Sequence, residues 1–268
     1  YTTHLSMIEM DTEGNLYVVY FLSPPYEEGK EIGPEDCKDI LIKYDKDMNQ
    51  VYQSDLKDMY VDENNAYLSS MVVTKDGKLI ASSNNVIYVI GADGTPEKSI
   101  PTNADYINRL FATEDGRVFF TKYSTMGPGM EMIEVDTEKY TLGEALKDLP
   151  NMNGNVKAGP EGKLLMPGDK YLYEYDLETG VATPILDWLD SYVTADFIMD
   201  YKPIDNGDFI IYYEDWNNGS KELVKLTKTK ASEIPKKETI VFATLYPTDQ
   251  IIERAILEFN KSNPSYKM

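Results

Sequence analysis

The stretch TKDGKLIASSNNVIYVI, residues 74–90, contains the pattern that decides the fold. A polar turn from Thr74 to Gly77 leads into an apolar strand at Leu79–Ser82, and a second strand follows at Val86–Ile90. Glycine supplies the positive φ that a tight hairpin needs, and aspartate tolerates the neighbouring turn positions. The stretch therefore predicts short antiparallel strands joined by tight turns.

The same arrangement occurs five times along the chain. The five turns are Asp11–Gly14, Thr74–Gly77, Thr113–Gly116, Gly159–Gly162 and Ile204–Gly207. The turn glycines are 63, 39, 46 and 45 residues apart, and the first spacing contains a Pro-, Gly- and Glu-rich loop, Ser23–Asp39. This loop accounts for 17 extra residues, without which the first spacing is 46. A period of about 40–50 residues with four short strands each is typical of a β-propeller.

We therefore predict an all-β fold for residues 1–235, a β-propeller of about five four-stranded blades. Helical repeat arrays have similar periods but need a helical pattern, and a β-sandwich would lack the recurring glycine turn. The hairpin-and-aspartate pattern resembles blades of the YVTN, NHL and PQQ-like type, and it lacks the Trp-Asp signature of WD40 repeats. Tyr1–His4 is expected to be the outer strand of the fifth blade.

Charge and composition exclude several kinds of function. The net charge is −20, and the segment from Thr239 onwards is neutral, so the acidity lies in the preceding residues. Such a domain repels phosphate backbones and anionic lipid surfaces, which argues against nucleic-acid partners. Cys37 is the single cysteine and His4 the single histidine, so disulfide frameworks and Cys/His metal sites are excluded. We expect neither a cofactor nor a metal.

Motifs for catalysis are absent from the sequence. No Gly-x-Ser-x-Gly accompanies His4, and no glycine motif for phosphate precedes a helix. Asp45–Asn49 begins like a calcium loop, but Gln50 stands where glycine is needed and Leu56 where glutamate is needed. Carboxylates are plentiful, so a glycosidase pair stays an alternative, although most acids fall in turns. We expect the chain not to be an enzyme.

The last thirty residues, TIVFATLYPTDQIIERAILEFNKSNPSYKM, residues 239–268, have a different pattern. The apolar run Ile240–Phe242 predicts a strand covered on both faces, and Pro247 suits the first turn of a helix. One apolar stripe follows at helical spacing: Ile251, Ile252, Ala255, Ile256 and Phe259. Asn263-Pro264 ends the helix, and Tyr266 opens another extended run. Strand, helix and strand predict the beginning of a parallel sheet.

The phrase EFNKSNPSYK, residues 258–267, resembles the mature start of extracellular solute-binding proteins of ABC importers, particularly sugar-binding ones. The resemblance implies that residues 236–268 are a linker and the start of a solute-binding domain. It also implies a lipoprotein that is extracytoplasmic and membrane-anchored at the bacterial cell surface. Its partners would be importer membrane subunits and a small sugar. In such domains the loop after the first strand lines the ligand cleft, which implicates Tyr246, Thr248 and Asp249 in ligand binding.

Three functions are compatible with the sequence. In the first, the propeller is an interaction or sensing module of a solute-binding lipoprotein for carbohydrate uptake, and this chain by itself does not bind the solute. The alternatives are a stand-alone interaction propeller and a propeller enzyme acting on polysaccharide. Trp216 is expected at an exposed hairpin tip as a partner-surface residue, with packing on a neighbouring blade as the alternative. Self-association through the exposed C-terminal strand and helix is also expected.

Overall fold

A computed structural model describes residues 1–268 apart from residues 30, 34–35, 63–66, 124–128, 153, 217–218, 231 and 244–249. The chain divides into two compact units, Tyr1–Lys147 and Asp148–Met268. Nearly all regular structure in both units is antiparallel β-sheet, and the strands of each sheet follow one another in chain order.

The first unit contains three sheets of four strands. The first sheet consists of β1 (Thr2–Met10), β2 (Leu16–Ser23), β3 (Lys38–Tyr44) and β4 (Gln50–Asp55). The second consists of β5 (Ser70–Val73), β6 (Leu79–Ser83), β7 (Val86–Ile90) and β8 (Pro96–Pro101). The third consists of β9 (Ile107–Ala112), β10 (Val118–Tyr123), β11 (Met130–Asp136) and β12 (Thr141–Ala145).

The second unit contains two further antiparallel sheets and a C-terminal element. The fourth sheet consists of β13 (Lys157–Ala158), β14 (Leu164–Pro167), β15 (Tyr171–Asp176) and β16 (Val181–Asp187). The fifth has three strands, β17 (Ile198–Pro203), β18 (Phe209–Asp215) and β19 (Ser220–Leu226). The C-terminal element consists of β20 (Glu238–Thr239), α1 (Gln250–Ser262) and β21 (Tyr266–Lys267).

The predicted fold class is confirmed: the fold is an all-β five-bladed β-propeller with one C-terminal helix. Two details differ from the expectation. Tyr1–His4 does not supply an outer strand to the fifth blade, because Thr2 to His4 run within β1 and pair with Ser23 to Phe21 of β2. The fifth blade has three strands, since the described part of the Lys-rich linker 227–237 forms no strand.

The core lies between adjacent sheets, and β7 shows how the sequence builds it. All five residues of Val86–Ile90 are buried. Val86, Tyr88 and Ile90 pack with Tyr17 and other residues of the first blade. Ile87 and Val89, on the opposite face, pack in a second cluster that includes Phe120 of the third blade. A strand covered on both faces reads as a continuous apolar run, and each such side chain contributes about 1.5–3 kcal/mol when buried.

The tight turns have the conformation that the sequence predicts. All five turn glycines have positive φ, between 74° and 93°. At Gly116 the backbone N–H donates to the carbonyl of Thr113 at 3.0 Å, and φ is 93°. A side chain at this position would be strained in the left-handed region, which is why glycine recurs there.

Candidate functional site

The two ends of each blade differ in the kind of connection between strands that lies there. The five glycine turns join the first and second strands, and turns rich in aspartate join the third and fourth strands where a fourth strand is present. In an antiparallel meander both of these lie at one end, which we call the turn end. The connections between second and third strands, and those that lead to the next blade, lie at the opposite end, which we call the loop end.

Aspartates at the turn end stabilise the turns themselves. The Asp45 carboxylate accepts hydrogen bonds from the backbone N–H groups of Asp47 and Asn49, and also from the Asn49 side chain. These bonds, that of the Asn49 side chain first, lower the pKa of Asp45 below its usual range. Asp136 and Asp176 hold equivalent turns and also have lowered pKa values. Such carboxylates remain ionised at neutral pH and act as turn caps.

The loop end of the second and third blades carries three exposed tyrosines, Tyr67, Tyr106 and Tyr123, which we call the tyrosine cluster. Their exposed fractions are 44%, 43% and 67%. Tyr67 donates a hydrogen bond from its hydroxyl to the Asn84 side-chain carbonyl at 2.8 Å. The backbone carbonyl of Asn84 accepts the N–H of Ile107, the residue after Tyr106, at 2.5 Å. Tyr67 and the residue that follows Tyr106 therefore both bond to Asn84 in the two-residue turn between β6 and β7.

Tyr123 joins the cluster through strand pairing. Lys122 of β10 and Ile107 of β9 form the last pair of these two antiparallel strands. Tyr123, which follows Lys122, and Tyr106, which precedes Ile107, therefore both lie just beyond that pair, at the same end. The second and third blades are themselves joined at their first strands, where the Leu110 N–H donates to Ser70 Oγ at 3.1 Å. Exposed polar side chains stand beside the cluster at Asn103, Asp105 and Asn108.

A buried polar network lies at the loop end of the first blade. Asp39, at 1% exposure, accepts hydrogen bonds from the Tyr60 hydroxyl and from the N–H of Leu68 at 3.3 Å. Burial raises the pKa of Asp39, although both hydrogen bonds act in the opposite direction. The Tyr60 ring packs edge-on against Tyr88 at 5.7 Å between ring centroids. The network holds the start and the end of the connection that carries Tyr67.

The loop end of the second unit also carries exposed aromatic residues. Trp216 directly follows β18 at the expected hairpin tip and is 64% exposed, whereas Trp188 is buried in the core. Tyr192 lies in the connection between β16 and β17 and is exposed. The Tyr192 hydroxyl accepts a hydrogen bond from Lys237 Nζ at 3.2 Å. The role of Trp216 as a partner-surface residue stays a prediction.

The C-terminal element forms a small parallel unit. β20 pairs parallel with β21, and α1 connects them. The predicted strand Ile240–Phe242 is displaced: β20 ends at Thr239, the Ile240 N–H still donates to the Lys267 carbonyl, and Ile240, Val241 and Phe242 are exposed. The expected cover on both faces is missing because only one helix and one partner strand are present among the described residues near them.

The helical stripe is also shifted from its predicted position. Ile251 and Ala255 are exposed, while Ile252, Ile256 and Phe259 are half-buried. Leu257 and Asn260, which the apolar pattern did not single out, are buried. The Asn260 side chain accepts the N–H of Met268 at 2.7 Å and donates to its carbonyl at 3.1 Å, which attaches the end of the chain to α1.

Ion pairs hold the C-terminal element against the fourth and fifth blades. Lys267 Nζ contacts both carboxylate oxygens of Asp190, at 2.6 and 2.8 Å. Arg254 pairs with Asp215 at 3.1 Å, and the Asp215 side chain is 7% exposed. The C-terminal element therefore packs on these two blades, and its self-association stays a prediction.

The remaining site residues that the sequence predicts, Tyr246, Thr248 and Asp249, lie outside the described residues. Among the residues that are described, no group of three or more His, Cys, Asp and Glu side chains is placed to hold a metal ion. No described helix is long and apolar enough to span a membrane.

Sequence reasoning missed the tyrosine cluster, although a signal for it is present. Tyr67 and Tyr106 both stand within three residues of the first strand of the following blade, among asparagines and aspartates. The pairing of Lys122 with Ile107, which brings Tyr123 beside them, depends on strand register and is not visible in the linear sequence.

Comparisons with known proteins show the fold alone. No protein-family profile matches the chain, and no curated protein matches it significantly. Oligogalacturonate lyase in complex with manganese is similar in structure (TM-score 0.55, 12% identity, 81% of this chain and 63% of that one). A protein of unknown function from Bacteroides caccae is also similar in structure (TM-score 0.51, 12% identity, 83% of this chain and 77% of that one).

The β-propeller domain of the Trilobed protease from Pyrococcus furiosus is a further example (TM-score 0.50, 14% identity, 83% of this chain and 68% of that one). The chain spans 63% of the length of the oligogalacturonate lyase, which is less than two thirds. Proteins with such different descriptions share the propeller fold, so the fold by itself does not specify what this chain does.

Proposed function

We propose that this chain is the propeller module of an extracytoplasmic, membrane-anchored solute-binding protein of a bacterial ABC importer for carbohydrate. In this proposal the module acts by binding and not by catalysis. The soluble sugar and the importer membrane subunits are partners of the gene product that contains this chain.

The parallel β20–α1–β21 unit is the observation that carries the proposal. The residues that resemble the start of a solute-binding domain are the ones that form this unit. Parallel strands joined through a helix are the repeating element of α/β domains, and they do not form part of an antiparallel meander such as a blade.

Exposed apolar residues beside this unit support a larger sheet. Ile240, Val241 and Phe242 follow directly on β20, and Val241 is 84% exposed. Contiguous exposed apolar residues of this kind are typical of surfaces that another element covers. Additional strands and helices of an α/β domain would bury them, at about 1.5–3 kcal/mol for each large side chain.

The placement of carboxylates supports binding without catalysis. Asp45, Asp136 and Asp176 serve as turn caps with lowered pKa values, which is the wrong direction for a general acid at neutral pH. Asp39 has a raised pKa, but it is buried and bonded to Tyr60, where a substrate has no access.

Calorimetric titration of soluble oligosaccharides tests the proposal. The gene product that contains this chain is expected to bind one of them through Tyr246, whereas residues 1–268 alone should show no binding that depends on Tyr246. Tyr246→Ala should weaken binding by the longer product about tenfold or more, and Tyr26→Ala, at an exposed position of the first blade, should leave it unchanged. No binding by the longer product, or binding that Tyr246→Ala leaves unchanged, would contradict the proposal.

A further inference from the structure

We propose that the tyrosine cluster, Tyr67, Tyr106 and Tyr123, is a binding site for a neutral polysaccharide. This inference goes beyond the proposed function and is independent of it, because it concerns a site within the propeller itself. It assigns this part of the chain a polymeric ligand, distinct from the soluble sugar of a solute-binding domain.

The cluster is built by the fold at a single place. The Tyr67 hydroxyl bonds to the Asn84 side chain, and the backbone N–H of Ile107, the residue after Tyr106, bonds to the Asn84 carbonyl, so both tyrosines are tied to one turn. Asn84 has a φ of 36°, in the left-handed region that asparagine tolerates better than most residues. The register of β9 and β10 then brings Tyr123 beside Tyr106.

Partial fixing of the rings favours binding. The Tyr67 hydroxyl is held by Asn84, and Tyr106 and Tyr123 extend from the ends of paired strands. A tyrosine presents a large contact area with few rotatable bonds, so little conformational entropy is lost when a ligand covers it. Three such side chains that stay exposed in the folded chain are positioned to bind an external ligand.

The chemistry of the surface matches a carbohydrate. The C–H face of a pyranose ring packs on an aromatic ring, while its hydroxyls need donors and acceptors at the edge of that contact. Tyrosine hydroxyls supply both functions, and exposed Asn103, Asp105 and Asn108 supply amide and carboxylate groups nearby.

A protein partner fits this surface less well. Among the described residues of connections 56–69, 84–85 and 102–106, Val61 is the only exposed large aliphatic side chain. Protein interfaces have an apolar core in which such side chains are usually more numerous. An anionic polymer is disfavoured as well, because the chain carries a net charge of −20. Of these three kinds of ligand, a neutral polysaccharide fits the surface best.

Affinity electrophoresis of residues 1–268 in gels containing a soluble neutral polysaccharide tests the inference. The panel consists of a β-glucan, an α-glucan, a galactomannan and a neutral xylan, with polygalacturonate as the anionic comparison. At least one neutral polymer is expected to retard the chain, polygalacturonate is not, and the retardation should not change with salt because a neutral polymer carries no charge that ions could screen.

Variants assign the binding to the cluster. Tyr67→Ala combined with Tyr106→Ala should weaken the retardation at least about tenfold, whereas Tyr106→Phe should retain most of it. Tyr266→Ala is the matched control, since Tyr266 is 41% exposed and lies in β21 of the second unit. If the double variant does not fold, as judged by circular dichroism, the more exposed Tyr123→Ala alone should reduce retardation several-fold.

Three outcomes would overturn the inference. They are retardation by none of the neutral polymers, stronger retardation by polygalacturonate, and equal weakening by Tyr266→Ala. Retention of a purified protein partner through the same tyrosines, without any polysaccharide binding, would reassign the cluster as a protein-docking site.

Discussion

Asp39 is a residue whose charge the fold disfavours, and this has a pH-dependent consequence. Its pKa is raised by burial, so the folded chain holds the proton more tightly than the unfolded chain, whose pKa is near 3.8. The stability that Asp39 contributes is therefore fully present below pH 3.8 and is lost as the pH rises through the folded-state pKa. Asparagine does not titrate, so a chain with asparagine at position 39 does not lose stability in this way as the pH rises.

We expect Asp39→Asn to gain stability relative to the native chain as the pH is raised from about 4 to 7. Denaturant unfolding at several pH values measures this difference. Asp45→Asn is the control with the opposite sign, because the folded-state pKa of Asp45 is lowered and its contribution is lost as the pH falls. Parallel pH profiles for the native chain and Asp39→Asn would show that Asp39 is not the titrating group.

Two turn glycines separate the cost of backbone strain from that of a steric clash. Gly116 has a φ of 93°, and an added Cβ would meet no atom closer than 3.5 Å, so Gly116→Ala should lose about 1 kcal/mol through strain alone. Gly94 has a φ of 83°, and its Cβ would lie 2.5 Å from the Tyr52 ring. Gly94→Ala should therefore lose about 2–4 kcal/mol. The melting temperatures of the two variants test this order, and equal values would contradict it.

At the scale of the element, the attachment of α1 to the fifth blade depends on Arg254 and Asp215. The carboxylate of the Arg254–Asp215 pair is nearly buried. The guanidinium is half-exposed, however, which limits the stabilisation by this ion pair to about 1 kcal/mol. Arg254→Ala should therefore speed hydrogen exchange of the α1 amides several-fold and leave exchange in β6 and β7 unchanged.

Lys261→Ala is the matched control for this experiment, because the ion pair of Lys261 is with Glu258 of the same helix, at 3.9 Å. Raised salt should reproduce part of the effect of Arg254→Ala, since screening weakens ion pairs that are partly exposed. Unchanged exchange in Arg254→Ala would mean that α1 is held by Leu257 and its apolar neighbours alone.

At the scale of the molecule, the blades do not depend on the C-terminal element for their strand pairing. The described strands of every blade complete their pairing before Thr227, and among the described strands β20 pairs with β21. A chain truncated after Lys237 should therefore keep its β-sheet circular dichroism and lose at most a few degrees in melting temperature. Loss of the sheet signal on truncation would show that β20 to β21 is an integral part of the last blade.

The sequence was sufficient to predict the blades, because the turn and strand patterns that define a blade lie within short stretches of the chain. A turn such as Thr74–Gly77 needs a glycine with positive φ, and the strands that follow need apolar residues wherever both faces are covered. The period of these signals predicted the number of blades. Pairing of Tyr1–His4 was predicted wrongly, because the choice of partner depends on strands far apart in the chain and leaves no local mark.

The candidate site was predicted only in part. Trp216 was recognisable because a tryptophan among turn residues is expected to be exposed, and it is. Exposure of Tyr67, Tyr106 and Tyr123 on one surface was not recognisable, because 21 tyrosines are spread along the chain and most patterns of tyrosine fit a strand.

The sequence by itself determined the all-β class, the positions of the turns, the blade period and the parallel character of the last segment, since each depends on the conformational preferences of adjacent residues. The tertiary structure alone decided that Asp39 is buried at the loop end, that Arg254 and Lys267 attach the C-terminal element to the blades, and that Tyr123 lies next to Tyr106 across two paired strands. These contacts join residues up to 77 positions apart. Their energies depend on distance and burial in the folded chain, which no local pattern encodes.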